Sequence, residues 1–425
     1  MEKYRLECLK CGNKIGIERE EFQNCPKCGG SLTVKMSIDY LNENVSKSDF
    51  FNNRILSMWS FFEFLPLLKR KNIVSLMEGN IPILRSNRLA KQYNLNHLYL
   101  KLEYLNPTSS FKDRQISMGV SKAIEFGKNS VITMSSGNVG AAVAAYSARA
   151  GLKNIILIPS IAPEGKITQI KMYGGNVVKI KSDSTEFISK IVKDASQKFN
   201  MANLITAAIY NPFIINGAKT IAYEIAIQCK VNDSKLPDII LIPVGGSGLL
   251  SGIFEGFEEL YQLDFIDFLP RLIAIQPEGC APFVNAIHED LKPDYLFENP
   301  WENINTISTA LADDIPLDCH TGIPAVKKSK GFAISVSDEE TLEAEKELGR
   351  FEGIFAEPSS CVTIAALKKL EQEGPITNND VIYCLITGSG FKDVPVIQGS
   401  LPISEVKEKD FDWESEFREI LKTPN

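Results

Sequence analysis

From about residue 76 onward, short apolar runs alternate with longer segments in which hydrophobic residues recur at helical spacing. This alternation predicts an α/β fold with an open, mostly parallel sheet. The predicted strands are 97–102, 130–134, 154–158, 176–180, 238–243, 272–276 and 381–386. The predicted helices are 116–126, 139–150, 220–229, 249–260 and 338–352. Many of these strands run directly into a turn rich in glycine or serine, and in such folds ligands bind at the carboxyl ends of the strands.

The first 40 residues follow a different pattern, because four of the nine cysteines lie there. They form two C-x2-C pairs separated by 13 residues: Cys8, Cys11, Cys25 and Cys28. Two turns that each present two thiolates satisfy tetrahedral zinc, and four cysteines leave no open position for catalysis. The spacing therefore predicts a structural zinc ribbon. The alternatives are a relic of such a fold that has lost its metal, or four ordinary reduced thiols.

These patterns divide the chain into four parts. We expect a zinc-ribbon module in residues 1–40, an aromatic and charged connector in 41–75, a large ligand-binding body in 76–400 and a C-terminal tail in 401–425. Within the body, a small lobe of approximately residues 113–218 is expected to be inserted in a larger lobe. The five remaining cysteines are isolated and are expected to be packing residues.

Charge and composition exclude several classes of protein. The 425 residues carry a formal net charge of −7, which argues against a general nucleic-acid binder or a polybasic membrane binder. No apolar run reaches the roughly 18 residues of a membrane-spanning helix, and the charged start lacks the apolar stretch of a signal peptide. We therefore expect a cytoplasmic protein whose cysteines are reduced or bound to metal. The three histidines, His97, His288 and His320, lie far apart in the sequence, so a serine-histidine-aspartate triad is poorly supported.

A lysine lies in the loop 106–114, which reads NPTSSFKDR and joins a predicted strand to a predicted helix. Lys112 is thereby placed where a ligand would bind. If it is desolvated, a lysine at such a position can be unprotonated enough to form an imine with a carbonyl. The simpler alternative is a solvated surface charge.

A second loop, Ser135-Ser136-Gly137-Asn138, directly follows the predicted strand 130–134. Small hydroxyl residues and glycine before the start of a helix expose N–H groups, which bind a carboxylate or a phosphate. The simpler alternative is an ordinary N-cap of a small-residue helix that packs closely on the sheet.

A third loop, residues 243–252, reads PVGGSGLLSG and follows the predicted strand 238–243. Backbone without side chains lets several N–H groups converge on a phosphate. A dinucleotide-binding fingerprint is the rival interpretation. It fits imperfectly, because Ser251 takes the third glycine position and Glu278 lies thirty residues on instead of about 20.

A fourth loop follows the predicted strand 381–386 and reads TGSGFKD. Its first residue, Thr387, could offer a hydroxyl at the same edge of the sheet. The simpler alternative is an ordinary turn at the end of a strand.

Together, a lysine loop, an anion loop, a glycine loop and a strand-end hydroxyl can hold a planar, phosphorylated cofactor aldehyde. At this point the sequence resembles the fold-type II pyridoxal-phosphate (PLP) enzymes, which have the fold of the tryptophan synthase β subunit, and most closely the threonine synthase group. The resemblance runs from about residue 78 to residue 393. NPTSSFKDR, SSGN, PVGGSGLLSG, EGIFAEP and TGSGFKD lie in the family's order. An N-terminal cysteine ribbon is also common in that group.

The resemblance implies roles for individual residues. Lys112 would be the Schiff-base lysine, Asn138 would hydrogen-bond the cofactor's ring hydroxyl oxygen, and Thr387 would face the pyridine nitrogen. The backbone N–H groups and one hydroxyl of the glycine loop would hold the cofactor phosphate: Gly245, Gly246, Ser247, Gly248 and Leu249. The residues implied for the substrate are Ser135, Ser136, Gly137 and, by its match to a substrate-anion lysine, Lys166. Ser136 is also expected, with Lys112, among the catalytic residues.

The reaction implied most directly is the conversion of O-phosphohomoserine and water to threonine and phosphate, with Lys112 removing the α-proton. Two residues depart from the family's pattern: Ile214 stands where a basic residue would help hold the substrate phosphate, and Val139 stands where many members have threonine. The alternatives are therefore a serine/threonine dehydratase or a β-replacement synthase of specialised amino-acid metabolism. A zinc-ribbon nucleic-acid binder is the non-enzyme alternative. A small-molecule amino-acid substrate and a homodimer are the expected partners.

Overall fold

A computed structural model describes residues 1–17, 24–135, 137–159, 164–182, 185–232, 234–373 and 375–399, together with 401, 412, 417 and 418. Ser136 and nearly all of the predicted C-terminal tail lie outside the described residues. None of the described helices is both long enough and apolar enough to span a bilayer.

The described strands belong to three sheets. They are β1 (Tyr4–Cys8), β2 (Lys14–Ile15), β3 (Leu32–Met36), β4 (Ile83–Arg85), β5 (His97–Lys101), β6 (Ser130–Met134), β7 (Lys153–Pro159), β8 (Val177–Ile180), β9 (Ala202–Asn203), β10 (Ile239–Pro243), β11 (Arg271–Pro277), β12 (Phe332–Val336) and β13 (Val381–Leu385). All seven predicted strands are confirmed. The structure adds short or peripheral strands, among them β12 at one edge of the largest sheet.

The described α-helices alternate with the strands. They are α1 (Ile38–Asn44), α2 (Lys47–Phe51), α3 (Asn87–Gln92), α4 (Lys112–Glu125), α5 (Asn138–Ala150), α6 (Glu164–Met172), α7 (Thr185–Lys198), α8 (Asn216–Val231), α9 (Gly248–Gln262), α10 (Pro282–His288), α11 (Pro293–Glu298), α12 (Cys319–Lys328), α13 (Asp338–Glu352), α14 (Pro358–Glu373) and α15 (Val394–Gln398). The five predicted helices correspond to α4, α5, α8, α9 and α13. Helix α4 begins four residues earlier than predicted, at Lys112 itself.

Two predominantly parallel sheets form the body of the molecule. The larger has the strand order β12-β11-β10-β13-β5-β4, in which only the β4–β5 pair is antiparallel. The smaller has the order β8-β7-β6-β9 and is parallel throughout. Every residue of β10 and β13 is buried, as expected for strands with both faces covered by helices. The strands of the smaller sheet lie in sequence between β5 and β10, which belong to the larger one.

The N-terminal sheet, of order β2-β1-β3, is antiparallel and packs on the body through a continuous apolar cluster. The aromatic connector is part of that cluster. The rings of Phe50, Phe61 and Phe64 surround Tyr223 of α8, with ring centroids 6.3, 5.3 and 4.8 Å from the tyrosine ring. Packing of the connector against the body is therefore confirmed.

A fully buried ionic network fixes the start of helix α4. Arg114 Nε lies 2.7 Å from Glu103 Oε2, and Arg114 Nη1 lies 2.7 Å from Glu224 Oε1 on α8. Lys101, at the end of β5, donates to Glu224 Oε2 at 2.8 Å. Burial alone would raise the pKa of Glu224, but Arg114 and Lys101 together lower it. The network thus ties the end of β5, the first turn of α4 and the middle of α8 to one another.

We expect Arg114→Met to reduce the free energy of unfolding by about 3–5 kcal/mol, because it leaves two buried carboxylates without their guanidinium. Urea unfolding followed by circular dichroism measures the change. Arg54→Met, which removes an exposed arginine, is the matched control and is expected to change stability by less than about 0.5 kcal/mol. Equal effects of the two substitutions would contradict the role of the network.

Candidate active site

Lys112 is the first residue of α4, and its side chain is half-buried at the carboxyl ends of β5 and β13. Its Nζ donates to Gln115 Oε1 at 3.1 Å and to Thr206 Oγ1 at 3.2 Å. Both partners are neutral oxygens, and among the described residues no carboxylate oxygen lies within 4.0 Å of this nitrogen. The lysine is therefore held in place without an ion pair that would fix its charge.

The lysine loop is clamped to the loop that follows β13. The Phe111 N–H donates to Thr387 O at 3.0 Å, and the Ser389 N–H donates to Ser109 O at 3.2 Å. Asp113 closes the loop from inside by accepting from the Thr108 N–H and hydroxyl at 2.8 and 2.9 Å. Lys112 and Thr387 are thereby brought to the same edge of the sheet, as predicted.

Burial lowers the pKa of Lys112 to about 8, while the carboxylates of Asp313, Asp318 and Glu357 oppose that shift. At pH 7 roughly a tenth of such a lysine is an unprotonated amine, against less than about a thousandth for an ordinary lysine. The local structure therefore supplies a nucleophilic amine close to neutral pH.

Ser247 forms the tight turn between β10 and α9. It has a left-handed backbone conformation, with φ 67°, and is almost completely buried. Its hydroxyl has no hydrogen-bond partner among the described residues. A buried hydroxyl beside the N-terminus of a 15-residue helix is suited to an anionic ligand, because the helix N–H groups also point there.

Two carboxyl groups approach the glycine loop where side chains are absent. A Cβ at Gly245 would lie 2.6 Å from Asp313 Oδ2, and a Cβ at Gly248 would lie 2.5 Å from Asp318 Oδ2. The charge of Lys112 and the Gly246 N–H both favour the ionised form of the Asp313 carboxyl group. A side chain at either position would collide with one of these carboxyl groups, which explains why both positions are glycine.

The two carboxyl groups differ in their surroundings. Asp313 is exposed, whereas Asp318 is buried and accepts from the Ala208 N–H at 2.7 Å through Oδ1. Its other oxygen has no hydrogen-bond partner among the described residues, and burial raises the pKa of Asp318 to about 7. With such a pKa, Asp318 is partly protonated near neutral pH, and it then repels a phosphate less strongly than an ionised aspartate would.

Asn138 is the first residue of α5, and its amide bridges two charged side chains. Nδ2 donates to Glu357 Oε1 and Oε2 at 3.1 and 3.2 Å, while Oδ1 accepts from Lys392 Nζ at 2.9 Å. Glu357 is buried, and burial raises its pKa. The predicted contact of Asn138 with a cofactor hydroxyl stays a prediction, and the amide is oriented by these two neighbours.

Thr387 is buried at the end of β13, and Ser360 of α14 orients it. The two hydroxyl oxygens are 3.0 Å apart, and Ser360 Oγ accepts from the N–H groups of Thr387 and Gly388 at 3.0 and 2.8 Å. A neutral hydroxyl pair therefore occupies the position predicted to face the pyridine nitrogen.

The residues predicted to bind substrate lie around the start of α5 and on α6. The Gly137 N–H donates to Ser135 Oγ at 3.2 Å, while Ser136 lies outside the described residues. Lys166 Nζ donates to Asp393 Oδ2 at 2.9 Å and to Thr309 Oγ1 at 3.0 Å. Lys166 is thus linked to the loop that carries Thr387.

The two positions that depart from the family's pattern are both in the apolar core. Ile214 is fully buried, and its side chain lies 3.1 Å from the position of a Cβ on Gly119. Val139 is buried in the first turn of α5. A basic residue at position 214 would therefore have to displace core packing in this chain.

Sequence reasoning missed four charged residues that face Lys112 or Asn138. Two of them, Glu357 and Lys392, lie inside the motifs EGIFAEP and TGSGFKD, but the resemblance implies no role for either residue. The other two, Asp313 and Asp318, lie in a segment without a recognisable motif. Their proximity to the glycine loop depends on contacts more than 60 residues apart along the chain, so no local pattern indicates it.

The four N-terminal cysteines converge as predicted. Their sulfur atoms all lie within 4.8 Å of one another, and the separations Cys8–Cys28, Cys11–Cys25 and Cys11–Cys28 are 3.5, 3.8 and 3.4 Å. Tetrahedral zinc with Zn–S bonds of about 2.3 Å requires S–S separations of about 3.8 Å. The four thiols therefore fit a single zinc ion. The other cysteines are all buried: Cys229, Cys280, Cys319, Cys361 and Cys384.

Comparison with known proteins agrees with this geometry. Residues 74–388 match the family model described as pyridoxal-phosphate dependent enzyme. Threonine synthase of Methanocaldococcus jannaschii is 38% identical over 387 residues, which cover 91% of this chain and 92% of that protein. Threonine synthase of Methanosarcina acetivorans is 36% identical over 392 residues, 92% of each chain.

Solved structures show the same fold at low sequence identity. Maize serine racemase superimposes with a TM-score of 0.63 and 21% identity, covering 81% of this chain and 92% of that one. The processed form of threonine deaminase isoform 2 from Solanum lycopersicum superimposes with a TM-score of 0.62 and 22% identity, covering 75% and 82%. The chain belongs to the family of pyridoxal-phosphate dependent enzymes and has the fold-type II architecture. Within that family it is a threonine synthase-like lyase.

The lowered pKa of Lys112 predicts the pH dependence of its reaction with pyridoxal, an aldehyde that lacks the phosphate. Between pH 7 and pH 9 the unprotonated fraction rises about tenfold for a pKa of about 8, but about a hundredfold for an ordinary lysine. The initial rate with cofactor-free protein, divided by the rate with Nα-acetyllysine, should therefore fall about tenfold over this range. Absorbance of the imine measures both rates, and Lys112→Ala provides the background. A constant ratio would show that Lys112 has an ordinary pKa.

Proposed function

We propose that the protein converts O-phosphohomoserine and water to threonine and inorganic phosphate. The observation that carries the proposal is the Lys112 amine, held by two neutral oxygens beside a glycine loop with an unpartnered hydroxyl. The extent of the similarity to threonine synthases, which covers about nine-tenths of the chain, supports this choice of substrate.

The residues present fit PLP. Lys112 would hold its aldehyde carbon covalently, and Ser247 with the N–H groups of the glycine loop would hold its phosphate. Asn138 would face the ring hydroxyl and Thr387 the pyridine nitrogen. When bound, the cofactor would draw electrons away from the α-carbon of the amino acid and so make its proton acidic.

Lys112 would act as the base at the α-carbon. Burial favours its neutral amine, which can accept a proton, and the three nearby carboxylates favour the ammonium that results. The balance leaves the pKa near the pH at which the enzyme would work, which is the condition for efficient general base catalysis. Gln115 and Thr206 would keep the nitrogen in place in either state.

Thr387 and Ser360 would determine which reactions the site favours. Both side chains are neutral, and the hydroxyl of Ser360 is the partner that the described residues give to the Thr387 hydroxyl, so this pair would not keep the pyridine nitrogen protonated. A less electron-withdrawing ring favours elimination and replacement over transamination. This arrangement supports a lyase.

A serine/threonine dehydratase is the second candidate, and a specific observation favours it. Asp313 and Asp318 lie against the glycine loop and close enough to Lys112 to influence its charge, so one side of the site is acidic. An acidic wall disfavours a substrate that carries a second phosphate and tolerates an uncharged hydroxyl. In addition, Ile214 provides no positive charge at the position where a basic residue would help to hold the substrate phosphate.

A substrate panel separates these two reactions. With the PLP-loaded enzyme, O-phosphohomoserine should yield threonine and one equivalent of phosphate, measured by amino-acid analysis and a phosphate assay. L-serine and L-threonine should yield little 2-oxo acid under the same conditions. Lys112→Ala is the control for both assays. Formation of 2-oxo acid without phosphate release would establish the dehydratase in place of the proposed reaction.

We infer further that Cys8, Cys11, Cys25 and Cys28 bind one structural zinc ion as a zinc ribbon. The convergence of their sulfur atoms supports it, as does the position of Gly30, where a Cβ would lie 3.2 and 3.3 Å from the sulfurs of Cys8 and Cys28. The ribbon boundary near residue 40, the lobe 113–218, the homodimer and the cytoplasmic location stay predictions from the sequence.

The purified protein should contain about one zinc per chain by inductively coupled plasma mass spectrometry. The double variant Cys8→Ser/Cys25→Ser should contain less than about a tenth of that and melt at a lower temperature, because the module loses its cross-link. Cys280→Ala, at an isolated buried cysteine, is the control and should retain the metal. A zinc content unaffected by the double substitution would refute this site.

A further inference from the structure

Asp318 immediately precedes helix α12, and its carboxyl group is turned away from that helix. Aspartate is favoured at this position because its side chain usually accepts a hydrogen bond from an N–H group of the first turn. Asp318 makes no such bond to α12. Its Oδ1 instead accepts from the Ala208 N–H at 2.7 Å, and Oδ2 has no hydrogen-bond partner among the described residues. The residue is only 3% exposed, so solvent does not replace the missing partner.

The oxygen without a partner lies against the glycine loop. Oδ2 is 2.5 Å from the position of a Cβ on Gly248, and the Asp318 N–H donates to Gly246 O at 2.8 Å. Gly248 is the first residue of α9, and Cβ atoms tilt toward the N-terminus of their helix. Oδ2 is therefore placed beside the helix end that is suited to the cofactor phosphate. The Ser247 hydroxyl faces the same first turn of α12, since a Cβ at Gly322 would lie 2.6 Å from it.

The charges around Asp318 favour its neutral form. Burial raises the pKa of Asp318 to about 7. The Ala208 N–H and the charge of Lys112 oppose that shift. The carboxyl groups of Asp313 and, on α9, of Glu255 add to it. A phosphate beside this carboxyl group brings further negative charge, which raises its pKa again. A protonated carboxyl group has one O–H donor, and because Oδ1 already accepts a hydrogen bond, the proton belongs on Oδ2.

We propose that Asp318 is a cofactor-binding residue that, as a neutral carboxylic acid, donates a hydrogen bond from Oδ2 to the phosphate of PLP. The bond from the Ala208 N–H to Oδ1 holds the carboxyl group in place. The proton comes from solvent, so cofactor binding takes up a proton at any pH at which Asp318 is ionised in the cofactor-free protein. The proposal requires only that the chain binds PLP, and it holds for either of the candidate reactions.

Affinity for the cofactor at two pH values tests the proposal. Cofactor-free, full-length protein is titrated with PLP and, separately, with pyridoxal, and absorbance of the imine gives the two dissociation constants. Lys112 reacts with both aldehydes, so its ionisation cancels in the ratio of the Kd for PLP to the Kd for pyridoxal. The ratio should rise at least about tenfold between pH 7 and pH 9, because ionised Asp318 repels the phosphate and has no proton to donate.

Asp318→Asn carries the main test. Its amide keeps an acceptor for the Ala208 N–H and offers a permanent donor in place of Oδ2, so the ratio should change by less than about threefold between pH 7 and pH 9. At pH 9 the ratio should be at least about tenfold below that of the wild type, a gain in affinity for the phosphate that a misfolded variant would not show. Asp267→Asn, at an exposed aspartate, is the matched control and should follow the wild type.

Asp318→Ala separates the hydrogen bond from the charge. It is uncharged but has no donor, so its ratio should be independent of pH and at least about tenfold higher than that of Asp318→Asn, since hydrogen bonds to charged groups contribute strongly. Equal ratios for these two variants would overturn the hydrogen bond. A wild-type ratio that does not change with pH, or a pH dependence that persists in Asp318→Asn, would overturn the proposal. None of these results affects the substrate panel, which tests the reaction.

Discussion

The buried guanidinium of Arg114, with a carboxylate on each side, is the constraint on which the geometry of the site depends. Glu103 follows β5, and Glu224 lies in the middle of α8, so the two ion pairs join elements that are 121 residues apart in sequence. Removing one charged residue from such a set leaves an unpaired charge in the interior. The folded protein is then much less stable than with the complete set. Arg114 is two residues beyond Lys112, and the first turn of α4 is therefore rigid where the amine must be placed.

Given that rigid turn, the reactivity of Lys112 is determined by what surrounds its nitrogen. Burial favours the neutral amine, and the carboxylates at greater distance keep the pKa from falling further. A direct ion pair would have raised the pKa and removed the nucleophile, and a wholly apolar pocket would have left the ammonium without support. Two neutral hydrogen-bond acceptors and three more distant carboxylates keep the pKa of Lys112 between these two extremes.

The sequence predicts those strands and helices, such as β10 and α5, whose hydrophobic residues recur with the period of the element. It also predicts the site residues Lys112, Ser247 and Thr387, because each lies in a loop that follows a strand. It fails where polar residues are buried by distant partners. Helix α4 is predicted to start at residue 116 because Lys112 to Gln115 are polar, yet Asp113, Arg114 and Gln115 are buried. The acidic wall formed by Asp313 and Asp318 escapes prediction for the same reason, since only tertiary contacts place it on the glycine loop.

The same helix links the active site to the N-terminal module. Lys122, ten residues after Lys112 on α4, donates to the hydroxyl of Tyr4 on β1 at 2.6 Å and lies 4.6 Å from the centre of the Phe213 ring. Across the other face of the module, Lys35 of β3 pairs with Glu255 of α9, the helix that begins in the glycine loop. The N-terminal module thus contacts both α4 and α9, the helices that begin at Lys112 and in the glycine loop. These contacts connect the packing of the module to the placement of both loops.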